Sequence, residues 1–225
     1  MTQPSRFSRR LFFSAFALLA LVGVAGVSTP AHAVPTVTIA EARTLPLGTV
    51  VTIEGSVTTP SGAFESSFFD KGFAIQDRTA GIFVSLQTDL GVAPRRRARV
   101  TGALAESFGL LLIVPASPSD VRLLGVGPVV RPRWLPTGAI SEATEGLLVR
   151  VVGRITEAAI DDLPFGYIFH MDDGSGDVTI FINTQTGIDP FQYAVGQLVS
   201  VTGFSSQFAD HYEIDPRSPA DIRTP

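Results

Sequence analysis

The stretch "GFAIQDRTAGIFVSL", residues 72–86, decides the fold, because it is two alternating apolar runs joined by a short polar turn. Such a pattern predicts a β-hairpin with one buried face. Phe73 and Ile75 share a face with Ile82, Val84 and Leu86, which leaves Ala74, Gln76, Phe83 and Ser85 on the other. The same pattern returns at residues 166–182 as "GYIFHMDDGSGDVTIFI", with Tyr167, Phe169 and Met171 joining Val178, Ile180 and Ile182. Its turn is two residues longer, and hairpin tips are where insertions are tolerated.

The blocks around the hairpins repeat in the same order. "VVTIEGSVTTP" (50–60) matches "LVRVVGRITEA" (148–158), aligning Gly55 with Gly153. "RVTGALAES" (99–107) matches "SVTGFSSQF" (200–208), and "SPSDVRLL" (117–124) matches "SPADIRTP" (218–225). Duplication of one unit of some ninety residues is the simplest account. Each unit reads as five short strands with little helix, which suits a small closed Greek-key barrel of the oligonucleotide/oligosaccharide-binding (OB) type, since closure removes the exposed edges. The expected fold class is all-β: two tandem five-stranded OB-fold-like barrels, residues 34–124 and 138–225, joined by a linker over 125–137. That linker, "GVGPVVRPRWLP" at 125–136, holds Trp134, the only tryptophan. Its ring is expected to pack between the two domains, with ligand stacking as the alternative.

Residues 1–33 are expected to be a signal peptide, from a basic start, an apolar run over Leu11 to Val27 and the small-residue site Ala31-His32-Ala33. "SRRLFF" at 8–13 is similar to the twin-arginine motif of substrates exported already folded, so a periplasmic or extracellular location follows. No later segment is long and apolar enough to span a bilayer as a helix. There is no cysteine, which excludes disulfides, thiolate metal sites and a cysteine nucleophile. Removing Arg6, Arg9 and Arg10 with the leader leaves fourteen basic against twenty-one acidic residues, a net charge near −7. The acidity is uneven: 34–127 carries eight of each sign, and 128–225 carries six basic and thirteen acidic residues. Only the first unit greets a polyanion without repulsion.

"TIAEARTLPLGTVVTIEGSVT", "GFAIQDRTAGIFVSL" and "RARVTGALAESFGLLLI" together resemble the OB-fold-like accessory domain of secreted bacterial nucleases and nucleotidases, over essentially all of 36–124 and more loosely over 138–224. Gly55, "IQD" with Gly81, and "VTG" at 100–102 carry the resemblance, which implies a binding module without a catalytic domain of its own. An OB barrel usually binds across its second and third strands, flanked by two loops, with aromatics stacking on bases and cations tracking phosphate. In the first unit this nominates Phe83 and Gln76 on the hairpin, Lys71 with Phe64, Phe68 and Phe69 in the first loop, Phe108 in the second, and Arg95, Arg96, Arg97 and Arg99 at the start of strand four. Single-stranded DNA or RNA is the expected partner of this unit; a protein or glycan partner of an envelope scaffold is the alternative. The phenylalanines have a competing role in capping the barrel core, and the arginines a competing role as a solvated strand end. His170 and Phe181 stand on the corresponding face of the second unit.

No enzymatic constellation is present: there is no G-x-S-x-G, no H-E-x-x-H and no P-loop, and after the leader only His170 and His211 remain. A non-enzyme without cofactor is expected. The acidic runs at Asp161-Asp162 and at Asp172, Asp173 and Asp177 invite a calcium reading, but their spacing does not follow an EF-hand, and Asp and Gly are ordinary turn formers.

Overall fold

The computed structural model describes residues 34–65, 69 and 71–224. The expected signal peptide and Phe68 lie outside them. Residues from Val34 onward form one compact unit containing both barrels. In the first, β1 (Val50–Thr59), β2 (Phe73–Gln76), β3 (Gly81–Val84), β4 (Arg96–Ser107) and β5 (Leu110–Val114) are ordered 1-2-3-5-4, and β4 pairs back with β1 to close the ring. β3 and β5 run parallel and every other pair in the ring is antiparallel. β6 (Val121–Val126) adds to β4 outside the ring. The second barrel repeats this with β8 (Leu148–Asp162), β9 (Gly166–Asp172), β10 (Val178–Asn183), β11 (Leu198–Phe208) and β12 (His211–Asp215), β10–β12 being the parallel pair and β11–β8 the closure. Order, closure and the parallel pair make both barrels OB-like, as their sequences predict.

The hairpin register is the one read from the alternation: Phe73 faces Val84 and Ile75 faces Ile82 across the pair. All four are fully buried with Val51, Ile53, Val100 and Ile113 in the first core. Phe169, Met171, Ile180 and Ile182 fill the second core with Val149, Val151, Val201 and Ile214. The repeated glycines have a steric cause. β1 and β8 each change partner midway, and a Cβ at Gly55 or Gly153 would meet the backbone of Gln76 or Asp172 at 3.0 or 2.9 Å. At the other repeated pair, Gly102 and Gly203, a Cβ would lie 2.7 and 2.6 Å from backbone oxygens of Val114 and Asp215. A side chain at any of them would push a closing strand away.

The "IQD" block also has a structural role. Asp77 accepts from the backbone N–H of Thr79 and Ala80 within the turn, and from the N–H of Ile39 at the start of the short helix α1 (Ile39–Ala42). Burial pushes the Asp77 carboxyl up, but these hydrogen bonds together hold it below the ordinary aspartate value. In the second barrel Asp172 and Asp173 do the same work. Asp172 accepts from Gly174 and Gly176, and Asp173 from Ser175 and Thr137. The Ser175 hydroxyl is the largest influence drawing Asp173 down to about 2. The acidic turn thus pins the segment leading into β8.

Residues 127–135 are an ordered strap rather than a loose tether. Gly127 N–H donates to Arg95 O (2.8 Å), β7 (Arg133–Trp134) runs parallel to β8, and Leu135 N–H donates to Arg150 O (3.0 Å). Trp134 is not packed between the barrels, against expectation: the residue is 63% exposed.

Candidate nucleic-acid interface

The outward face of the first hairpin is where sequence reasoning placed the ligand, and the second barrel occupies it. Phe83 is 2% exposed, in an aromatic cluster with Phe64 and Phe204, the latter from β11 of the other barrel. The Phe204 ring centroid lies 5.9 Å from each of the other two. Gln76 Oε1 accepts the Leu148 N–H at 3.0 Å across the interface. The expectation that Phe83 and Gln76 face a ligand is therefore corrected. An apolar ring on the outside of a barrel is a docking surface, and the duplicated neighbour is the nearest thing to dock. Phe64 belongs to this cluster as well, and so packs between the barrels rather than in the core of the first.

Three further contacts seal the interface. Gly81 and Gly146 meet backbone to backbone, leaving no room for a Cβ on either. Glu145 is buried under barrel 1, where it accepts from Arg43 at 3.0 Å and from the Leu111 N–H at 3.2 Å. Burial raises its carboxyl although Arg43 opposes this. The β4–β5 and β11–β12 hairpin tips also meet, with Phe108 and Phe208 rings 5.0 Å apart and Ala209 N–H donating to Phe108 O. Phe108 remains exposed, but one side of its ring is taken. Beside Phe204 a cavity of about 20 Å³ is lined by Phe64, Phe83, Glu213 and Asp215. Burial drives the Asp215 carboxyl well above its ordinary value, Glu213 adds to this and a hydrogen bond with Ser206 opposes it. His211 lies 3.6 Å from Glu213, and that carboxylate is the chief influence raising its imidazole above the ordinary histidine value, against the opposing effect of burial.

The arginine cluster divides into two kinds. Glu54 lies across β1–β4 from Arg99 and takes both Arg97 (3.0 Å) and Arg99 (2.5 Å), so these two serve the barrel wall. Lys71 is paired with Glu65. Arg95 and Arg96 are exposed, and no carboxylate pairs with them among the described residues. Arg95 lies just before β4, in the left-handed backbone region (φ 72°).

Arg95 lines a cleft of about 320 Å³ between the barrels, and the other charged residues there are Arg150, Arg217, Arg223 and Asp221. Thr58 of β1 and the strap residues Val129 and Val130 are among its other walls. Asp221 takes the Arg217 fork through Nε (2.9 Å) and Nη2 (2.8 Å), while Arg217 Nη1 donates to Thr58 O across the barrel junction. Arg150 is held by its Nε on Thr202 Oγ1 (2.7 Å), and Arg223 by its Nε on Ala220 O (3.0 Å). Four guanidinium groups against one carboxylate leave the cleft strongly positive on a chain that is acidic as a whole. Arginine forks suit phosphate oxygens, and three of these are already fixed in place. Of the four only Arg95 stands in a basic run of the sequence; Arg150, Arg217 and Arg223 are isolated in the chain and meet only because the C-terminal segment folds back beside β1 and β8.

No family model matches the chain, and no curated protein matches it. Among solved structures it is similar to the hypothetical protein ygiW from E. coli, with 16% identity over 42% of this chain and 99% of that one, at a TM-score of 0.32. It is also similar to a murine DNA-binding protein bound with double-stranded DNA, with 10% identity over 77% of this chain and 96% of that one, at a TM-score of 0.39. The OB assignment itself rests on strand order, closure and register.

Proposed function

We propose that this is an exported, non-catalytic binding protein that holds an extended anionic ligand, single-stranded nucleic acid, in the cleft between its barrels rather than on the β2–β3 face of the first barrel. The observation that carries the reading is the cleft itself: about 320 Å³, with four arginines and one carboxylate among its lining residues. Export rests on the leader sequence, and the accessory-module resemblance adds that a separate nuclease or nucleotidase acts on what this protein holds. The acidic surplus of 128–225 repels polyanions at long range, so association is slow and affinity depends on short-range contacts in the cleft.

The test is fluorescence anisotropy of labelled single-stranded DNA and RNA against the purified protein, at low and physiological salt. Arg95→Ala with Arg150→Ala is expected to weaken binding and flatten the dependence of log K on log salt by about 0.7 for each phosphate no longer neutralised. Arg97→Ala with Arg99→Ala, already committed to Glu54, is expected to change little. Absence of binding at low salt rejects this function. The scaffold reading, with protein or glycan partners meeting the acidic second barrel, would then take its place.

A further inference from the structure

We infer that Trp134 is a stacking platform for an unpaired nucleobase of the strand held in the cleft; this rests on the binding reading above and narrows its ligand. Trp134 is the only tryptophan of the chain and is 63% exposed, so its large apolar ring contributes little to either core. It is nevertheless held firmly. Its backbone pairs with Arg150 in the parallel β7–β8 ladder, and the next residue, Leu135, donates to Arg150 O at 3.0 Å. The Arg150 guanidinium lies 5.2 Å from the ring centroid, in cation–π range, and is itself anchored on Thr202.

One residue thus joins the two halves of the site, since Arg150 both backs the indole and lines the cleft with Arg95, Arg217 and Arg223. A phosphate drawn to those arginines brings its own base beside the ring. An aromatic ring already fixed in place gains stacking energy at little cost in side-chain freedom, and every base has a face to offer, so the platform is tolerant of sequence but selects for unpaired bases. Polyphosphate and sulfated glycans satisfy the arginines and leave the ring unused. Duplex DNA keeps its bases inside the stack.

Because Trp134 is the sole tryptophan, its intrinsic fluorescence reports on this site alone. The experiment titrates the purified protein with a single-stranded oligodeoxynucleotide, with the same oligonucleotide as a duplex and with inorganic polyphosphate, at matched ionic strength, following tryptophan emission. Trp134→Ala and Trp134→Phe are then compared by competition anisotropy, after circular dichroism and thermal melting confirm their fold. The expected result is quenching by the single strand only, an affinity loss of about ten- to hundredfold for the single strand in Trp134→Ala, most of that affinity retained in Trp134→Phe, and unchanged polyphosphate binding in both. Equal quenching by duplex or polyphosphate, or an equal affinity loss for all three ligands, overturns the platform and leaves the cleft standing. If none of the three binds the wild-type protein, the binding reading falls and the platform falls with it.

Discussion

The two barrels carry the same face and use it differently. In register Gln76 corresponds to His170 and Phe83 to Phe181. Each phenylalanine ring closes over the glycine that opens its hairpin, Gly72 in the first barrel and Gly166 in the second. In the first barrel the neighbour then covers this face, so that Gln76 bonds across the interface and Phe83 joins Phe204. In the second, the His170 imidazole stays partly exposed and pairs with Asp177 of its own hairpin at 2.8 Å. The same face is half of an internal interface in the first barrel and partly open in the second, and the arginine-lined cleft lies where the two barrels pack.

If the first face is truly interface, Phe204→Ala should be the most damaging single change, because it removes a fully buried ring that two others pack against. Large-to-small changes of this kind cost about 3–5 kcal/mol. Chemical denaturation should show the midpoint falling, with the two barrels no longer melting together. A similar loss from Phe208→Ala, whose ring is half exposed, would count against the cluster as the centre of the interface.

The pH dependence bears on the same interface, since the carboxyls of Glu145 and Asp215 and the His211 imidazole, all raised, lie at or beside it. A raised folded value means that stability is full below the unfolded value and declines as pH rises through the folded one. For Asp215 that window opens above the ordinary carboxylate range. Asp215→Asn, which mimics the protonated form, should raise the melting temperature at neutral pH and flatten its decline towards alkaline pH. No change in the pH profile would mean that Asp215 is relieved by something other than a proton.

The smallest expected effect lies at the hairpin tips. Ala209 holds a left-handed backbone (φ 54°) where its counterpart turn in the first barrel uses Phe108-Gly109. Ala209→Gly should stabilise by about 1 kcal/mol, the steric cost of a Cβ in that region. Thermal melting would register it as a small upward shift, and a downward shift would show that the flexibility glycine adds to the unfolded chain outweighs the relieved strain.

The barrels were legible because alternation and duplication are local signals. Phe73, Ile75, Ile82 and Val84 declare a face by their spacing alone, and the paired glycines mark where strands must cross. What covers an outward residue is not local. Phe83 reads as a ligand-facing aromatic until Phe204 is known to lie against it, and the sequence hint was a size difference, Ala103 in one copy against Phe204 in the other just after the shared "VTG". The division of the arginines was hidden for a similar reason, since Glu54 is forty-three residues before Arg97 and only the β1–β4 register brings them together.

The proposed function puts the ligand in the cleft and not on the β2–β3 face. Hydrogen exchange of the purified protein, with and without a saturating single-stranded oligonucleotide, tests it most directly. New protection is expected around Arg95, 129–134, Arg150 and 217–223, with residues 73–84 already slow and unchanged. Protection gathered on 73–84, or none anywhere, would contradict it.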